Sequence, residues 1–129
     1  MDLARSVASC ALLLVSGCAA VSTADGDRLS LRSDEFRVYV ERVFRDQNRV
    51  ADELAFALEA PGGQRAESGE LAAAEQRLLD ACAAVNELAT ARRDQMRLGL
   101  RRSLSAARTV PRCEETARSV AALTAARAR

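Results

Sequence analysis

From residue 34 onward the apolar side chains recur every three or four positions, the period of a helix and not of a strand. Phe36, Val40, Val43, Val50 and Leu54 fall on one stripe, with Tyr39 and Leu58 beside it. Ser33 is a suitable N-cap, and Asp34 and Glu35 suit a first turn. Pro61-Gly62-Gly63 closes the run, so the spacing predicts a helix over 34–60. A second stripe, Leu71, Ala74, Leu78, Cys82, Val85 and Ala89, predicts a helix over 69–93. Beyond residue 93 the pattern admits two readings. One long helix continues to residue 108, or the chain reverses near Arg93-Asp94-Gln95. In the second reading a third helix over 97–108 returns with Met96, Leu100, Leu104 and Ala107 on its face. Thr109-Val110-Pro111 then punctuates, and a fourth helix starts with Pro111 in its first turn, where proline is tolerated. Glu114 and Glu115 suit that N-terminus, and Cys113, Ala117, Val120 and Leu123 form its buried side.

The front of the chain is different. Residues 7–15 are an apolar run behind a single Arg5, too short to span a bilayer, which needs ~20 residues. The run ends in Val15-Ser16-Gly17-Cys18. This arrangement resembles the export signal and lipobox of bacterial lipoproteins, in which an aliphatic residue and two small ones precede an obligatory cysteine. The resemblance implies cleavage between Gly17 and Cys18, a diacylglycerol on the Cys18 sulfur and acylation of the new amino group with a palmitate-type chain. Ala19 then comes directly after the lipidated cysteine. In Gram-negative lipoproteins an Asp there commonly means retention at the inner membrane, so the resemblance implies an outer-membrane protein facing the periplasm. An ordinary secretory signal cut after Ala24 is the alternative. Residues 21–31 are polar with little period, so 18–32 reads as the lipidated cysteine and a flexible tether, ahead of a domain over 33–129.

Composition narrows the fold. The chain has 129 residues, enough for one domain. Apolar residues make up 49% but aromatics only 3%, so the core rests on Ala, Leu and Val, which suits close helix packing. Six Gly and two Pro are too few for an all-β fold. Of four cysteines, Cys10 leaves with the signal and Cys18 takes the lipid, which leaves Cys82 and Cys113 as an even pair in an oxidising compartment. A disulfide is the natural reading, with two inert buried thiols the alternative. Bridged Cα atoms lie within ~7 Å. A single helix to residue 108 would carry the chain about 39 Å past Cys82, so the bridge demands the reversal near Asp94. The expected fold is all-α: a small bundle of one long helix packed on a three-helix, disulfide-stapled unit.

Chemistry is sparse. There is no His, and every basic residue is Arg, so no imidazole base or lysine nucleophile exists. No cysteine cluster suits zinc or haem, and no cofactor is expected. An enzyme is not expected, nor a small-molecule substrate. Nucleic acid is an implausible partner for an exported chain without stacking aromatics. Charge is unevenly spread: residues 34–91 hold six Arg against twelve acids, net −6, and residues 92–129 ten Arg against three acids, net +7. The plain reading is mutual complement within the bundle. The sharper one is an anion-facing surface of Arg93, Arg97, Arg101, Arg102 and Arg108, with Arg92 and Arg112 beside them. Val38 and Phe56 fall off the first stripe and are candidate partner contacts. Gln47 lies within the stripe, where a polar residue sets register or sits at a wet edge. The expected function is a lipid-anchored, non-enzymatic envelope protein with a protein-interaction or structural role. The alternative is a module binding anionic envelope lipids through the Arg-rich 92–112 face.

Overall fold

The computed structural model describes residues 19–59 and 65–127, with side chains from residue 69 in the second stretch. The signal segment expected over 1–17 and the expected lipidation site Cys18 lie outside the described residues. The elements, in order, are strands β1 (Ala20–Ser22) and β2 (Arg28–Ser30) and helices α1 (Asp34–Glu59), α2 (Arg65–Arg93) and α3 (Leu100–Arg127). The all-α bundle follows the hydrophobic pattern. Phe36, Tyr39, Val40, Val43, Val50 and Leu54 of α1 are buried, with Leu58 half-buried. On α2 the buried set is Leu71, Ala74, Leu78, Ala81, Cys82, Val85 and Ala91. On α3 it is Ala106, Ala107, Val110, Cys113, Ala117 and Val120, so the three helices share one core. Ser33 caps α1 as its sequence position suggests: its Oγ accepts from the Phe36 N–H at 3.1 Å and its carbonyl from Arg37 at 3.3 Å.

The disulfide joins Cys82 and Cys113, both fully buried, with Cα atoms 4.7 Å apart. The chain accordingly reverses after α2. The turn is a Schellman closure: Met96 N–H donates to the Ala91 carbonyl (2.8 Å) and Gln95 N–H to that of Arg92 (3.2 Å). Gln95 takes the left-handed conformation, φ 55°, that glycine usually supplies. α1 and α3 therefore run in parallel, α2 runs antiparallel to both, and each helix packs against the other two. Contacts fix the register: Gln47 of α1 against Asn86 of α2 at 2.7 Å, and Tyr39 of α1 against Glu114 of α3 at 2.7 Å.

Three expectations are corrected. The return from the turn is one helix, not two: α3 runs unbroken through Pro111, and the stapled unit has two helices. An interior proline removes one helical hydrogen bond and costs about 3 kcal/mol. Here buried Val110, Cys113 and Ala117 around it, with the disulfide, hold both halves to α1 and α2 and offset that cost. Glu114 is consequently mid-helix and buried rather than at a helix N-terminus. Second, Met96 and Leu100 are not on a buried face but are 59% and 76% exposed, because the turn lies at the level of the start of α1, where no helix covers them.

Third, residues 20–30 are no tether but a hairpin, with Val21 opposite Leu29. Thr23 and Asp27 close its loop: Thr23 N–H donates to the Asp27 carbonyl (2.8 Å), and Asp27 N–H donates to Thr23 Oγ1 (3.0 Å). Gly26, φ 93°, supplies the left-handed residue of a three-residue loop. Val21 is 6% exposed and belongs to the core, with Leu29 and Leu31 packed against it. The α2 start also lies four residues earlier than the stripe suggests, at Arg65.

Replacing Cys82 by Ser removes the cross-link between α2 and α3. It is expected to lower unfolding free energy by about 2–5 kcal/mol, the usual effect of losing a native bridge from a small domain. Urea denaturation of the oxidised wild type and the variant measures this, and a non-reducing peptide map with both thiols freely alkylatable would contradict the pairing.

Candidate functional site

The helix directions give the bundle two unlike ends. At one end meet the start of α1, the end of α2, the start of α3 and Ala19, the first described residue. Here a cleft of about 780 Å³ opens among Leu31, Phe36, Val40, Leu88, Leu104 and Ala107, with Ala19, Met96, Leu98 and Leu100 also on its wall. Its charged lining residues are Arg32, Arg37 and Arg92, and no carboxylate lines it. It exists because the turn between α2 and α3 is long enough to project. Small Ala91 and Ala107 below leave room that no larger side chain fills.

The candidate anion-facing arginines are divided by the structure. Arg93 pairs with Asp94 (3.0 Å), which pushes its guanidinium pKa further up, and Arg102 pairs with Glu87 (2.7 Å). Arg97, Arg101 and Arg108 are exposed and make no ion pair among the described residues. The same holds for Arg92 and Arg112. Complement between the acidic and basic parts of the chain is thus realised only in part, by Arg102–Glu87 and by Arg127 with Glu70. Arg92, Arg93, Arg97 and Arg101 gather at the turn. Arg108 lies two helical turns along α3, about 10 Å away on the same face as Arg101.

A second constellation escaped the sequence reading. The Glu114 carboxylate, with its side chain 6% exposed, accepts from the Tyr39 hydroxyl (2.7 Å) and from Arg118 (2.6 Å), and pairs with Arg42 at 3.2 Å. Arg118 also grips Asp25 with two bonds, 2.7 and 2.9 Å. The Arg42 guanidinium lies 5.4 Å from the Tyr39 ring centre. Hairpin loop, α1 and α3 are thereby tied at one node. Hydrogen bonding from Arg118 holds the Asp25 carboxyl below its usual range, and Asp25 in turn raises the Arg118 guanidinium. Burial, and then the neighbouring Glu114, push the Tyr39 phenol well above its ordinary value. The sequence carried one signal for this: an acid beside Cys113 and four residues before an arginine. No pattern pointed to Asp25 as the distant partner. Each acid of the node is matched by a cation, Glu114 by Arg42 and Arg118 and Asp25 by Arg118, and the node ties three elements together.

The candidate contacts Val38 and Phe56 are exposed, 59% and 79%. They are five turns apart on one face of α1, so about 27 Å separates them and they are two places, not one patch. Gln47 is buried, and its amide donates to Asn86 of α2 (2.7 Å) and to Asn48 (2.9 Å). It sets register rather than sitting at a wet edge. Among the described residues no group of acids or cysteines could hold a metal ion. No helix there is long and apolar enough to cross a membrane. No protein-family model, curated protein or solved structure matches the chain.

Tyr39 is the chain's one tyrosine and there is no tryptophan, so phenolate absorbance reports this node alone. A phenol with a raised folded-state pKa adds stability that is present below its unfolded value, ~10, and lost as pH rises toward the folded one. Phenolate absorbance of the native protein should therefore appear only above ~10. Glu114→Gln should bring that transition down. Glu114→Ala, which strands the hydroxyl, should cost about 1–3 kcal/mol in urea denaturation. A native phenol titrating at its ordinary pH would contradict the bond to Glu114.

Proposed function

We propose that this chain is a bacterial envelope lipoprotein without enzymatic activity. On this reading a rigid helical bundle is held to the outer membrane by the lipid on Cys18 and offers its far end to another envelope protein. The observation that carries the reading is the hairpin. β1 starts two residues after Cys18, and Val21 is part of the core. Cleavage before Cys18 leaves that strand whole, whereas a secretory cut after Ala24 would remove β1, Val21 and Thr23 and dismantle the loop closed by Thr23 and Asp27. The buried disulfide is in keeping with an oxidising compartment. With the anchor beside Ala19, α1 leads away from the membrane, and Phe56 sits about 33 Å from the start of that helix, an exposed aromatic at the distal end.

A second reading, contact with anionic lipid headgroups, is favoured by one observation. Ala19 and Arg92 line the same cleft, so an anchor at Cys18 would bring the arginines of the α2–α3 turn to the membrane surface.

Cys18→Ala should abolish labelling by a clickable palmitate analogue and leave the protein unprocessed or free in the periplasm. Equal labelling of wild type and variant would remove the anchor. Ala19→Asp should shift the protein toward the inner membrane on a sucrose gradient. An unchanged profile would mean that position 19 does not sort this chain.

A further inference from the structure

We propose that the cleft at the α2–α3 turn takes one acyl tail of an anionic phospholipid, with Arg92 and Arg32 at its rim meeting the phosphate. The cleft falls within the ~300–1,000 Å³ of small-ligand sites at about 780 Å³. Its walls are mainly Leu31, Phe36, Val40, Leu88 and Leu104, a surface that suits a hydrocarbon chain, with Ser30 and Ser103 as its uncharged polar side chains. Every charged residue in the lining is an arginine, so the occupant that suits it is apolar in its body and negative at one end. Arg37 is already committed to Asp34, at 3.1 Å, which leaves Arg32 and Arg92.

The lip adds to this. Met96 and Leu100, 59% and 76% exposed, are large apolar side chains left in water at the mouth, with the unpaired Arg97 and Arg101 next to them. Apolar side chains flanked by arginines are the composition of a segment that sits at a headgroup boundary. A protein helix seated on the cleft would leave the arginines without a stated partner. The lipid of Cys18 itself carries no phosphate and leaves them equally unanswered. A membrane phospholipid answers both the walls and the rim. The proposal uses the envelope reading only for where the lipid is met. The cleft itself does not depend on acylation of Cys18.

The test uses the full chain grown with a diazirine analogue of methionine. Met1 and Met96 are its only methionines, so within the folded domain the photolabel stands at the lip of the cleft alone. The Cys18→Ala chain is irradiated on phosphatidylglycerol vesicles and, separately, on phosphatidylcholine vesicles, and the Met96 peptide is weighed for lipid adducts. A several-fold excess of phosphatidylglycerol adduct is expected, and Arg92→Glu with Arg32→Glu should erase the preference. Leu104→Trp, which fills the cleft, should reduce the adduct several-fold, while Leu79→Ala, exposed on α2 outside the cleft, leaves it unchanged. Leu88→Trp serves in its place if circular dichroism shows Leu104→Trp unfolded.

Equal adduct in both vesicles overturns the proposal, as does undiminished labelling of a folded cleft-filled variant, which would mean that Met96 merely rests on the bilayer. In the acylated wild type, an adduct between Met96 and the Cys18 lipid in place of a free phospholipid also overturns it. Lipid adduct on the Cys18→Ala chain together with an unacylated wild type would fail the lipoprotein reading and leave the cleft assignment standing.

Discussion

The covalent link between Cys82 and Cys113 is the constraint on which the remaining architecture depends. It brings the middle of α2 and the middle of α3 to a Cα separation of 4.7 Å. Two helices of nearly thirty residues, pinned near their centres and joined by the short stretch 94–99, run antiparallel with one reversal between them. The turn must then fall where the arms on either side are equal, and it does, at Arg93 to Gly99. The pinned pair presents Leu78, Val85, Val110 and Val120 as a continuous apolar floor, and α1 lies on it. A core with so few aromatics gains little from any one side chain, so loss of conformational freedom in the unfolded chain through the cross-link matters more here than in a larger domain.

The node at Glu114 does for the N-terminal segment what the disulfide does for the helices. A two-stranded hairpin is marginal in water on its own. This one is held at both ends: by Val21 and Leu29 against the core, and by the two bonds from Arg118 to Asp25 at the loop. Arg118 reaches its second acid, Glu114, on the same helix face one turn back, and Glu114 reaches Tyr39 and Arg42 on α1. One buried carboxylate thus coordinates three elements. Its burial is tolerable because its partners are two guanidinium groups and a hydroxyl.

The helical stripes were legible because burial repeats with the helix period, and all five residues of the first stripe are buried. The reversal was legible only through the cysteines. No Gly or Pro stands at the left-handed position, which Gln95 occupies, so the local chemistry of the turn gave no mark. Pro111 misled in the opposite sense, since it looked like a helix start and sits inside one, where tertiary packing outweighs a lost hydrogen bond. The hairpin carried a readable sign, Asp25-Gly26 between Val21 and the alternating Leu29 and Leu31, that was overshadowed by the short length and polar tone of the segment. The cleft could not be read at all. It forms from Ala19, α1, α2 and α3 together, and its arginines come from distant parts of the chain: Arg92 from the basic stretch, Arg32 from before α1 and Arg37 from its first turns.

The hairpin also sets how the domain would hang from a surface. A strand that begins at Ala20 leaves Ala19 as the sole link between Cys18 and folded structure. A body fastened so closely cannot swing freely. If Cys18 carries the lipid, the long axis would sweep a narrower cone than that of a body on a long stalk. Such an anchor would also leave little slack for a protease, since a cut releasing the domain would fall beside or inside the strand that pairs Ala20 with Ser30.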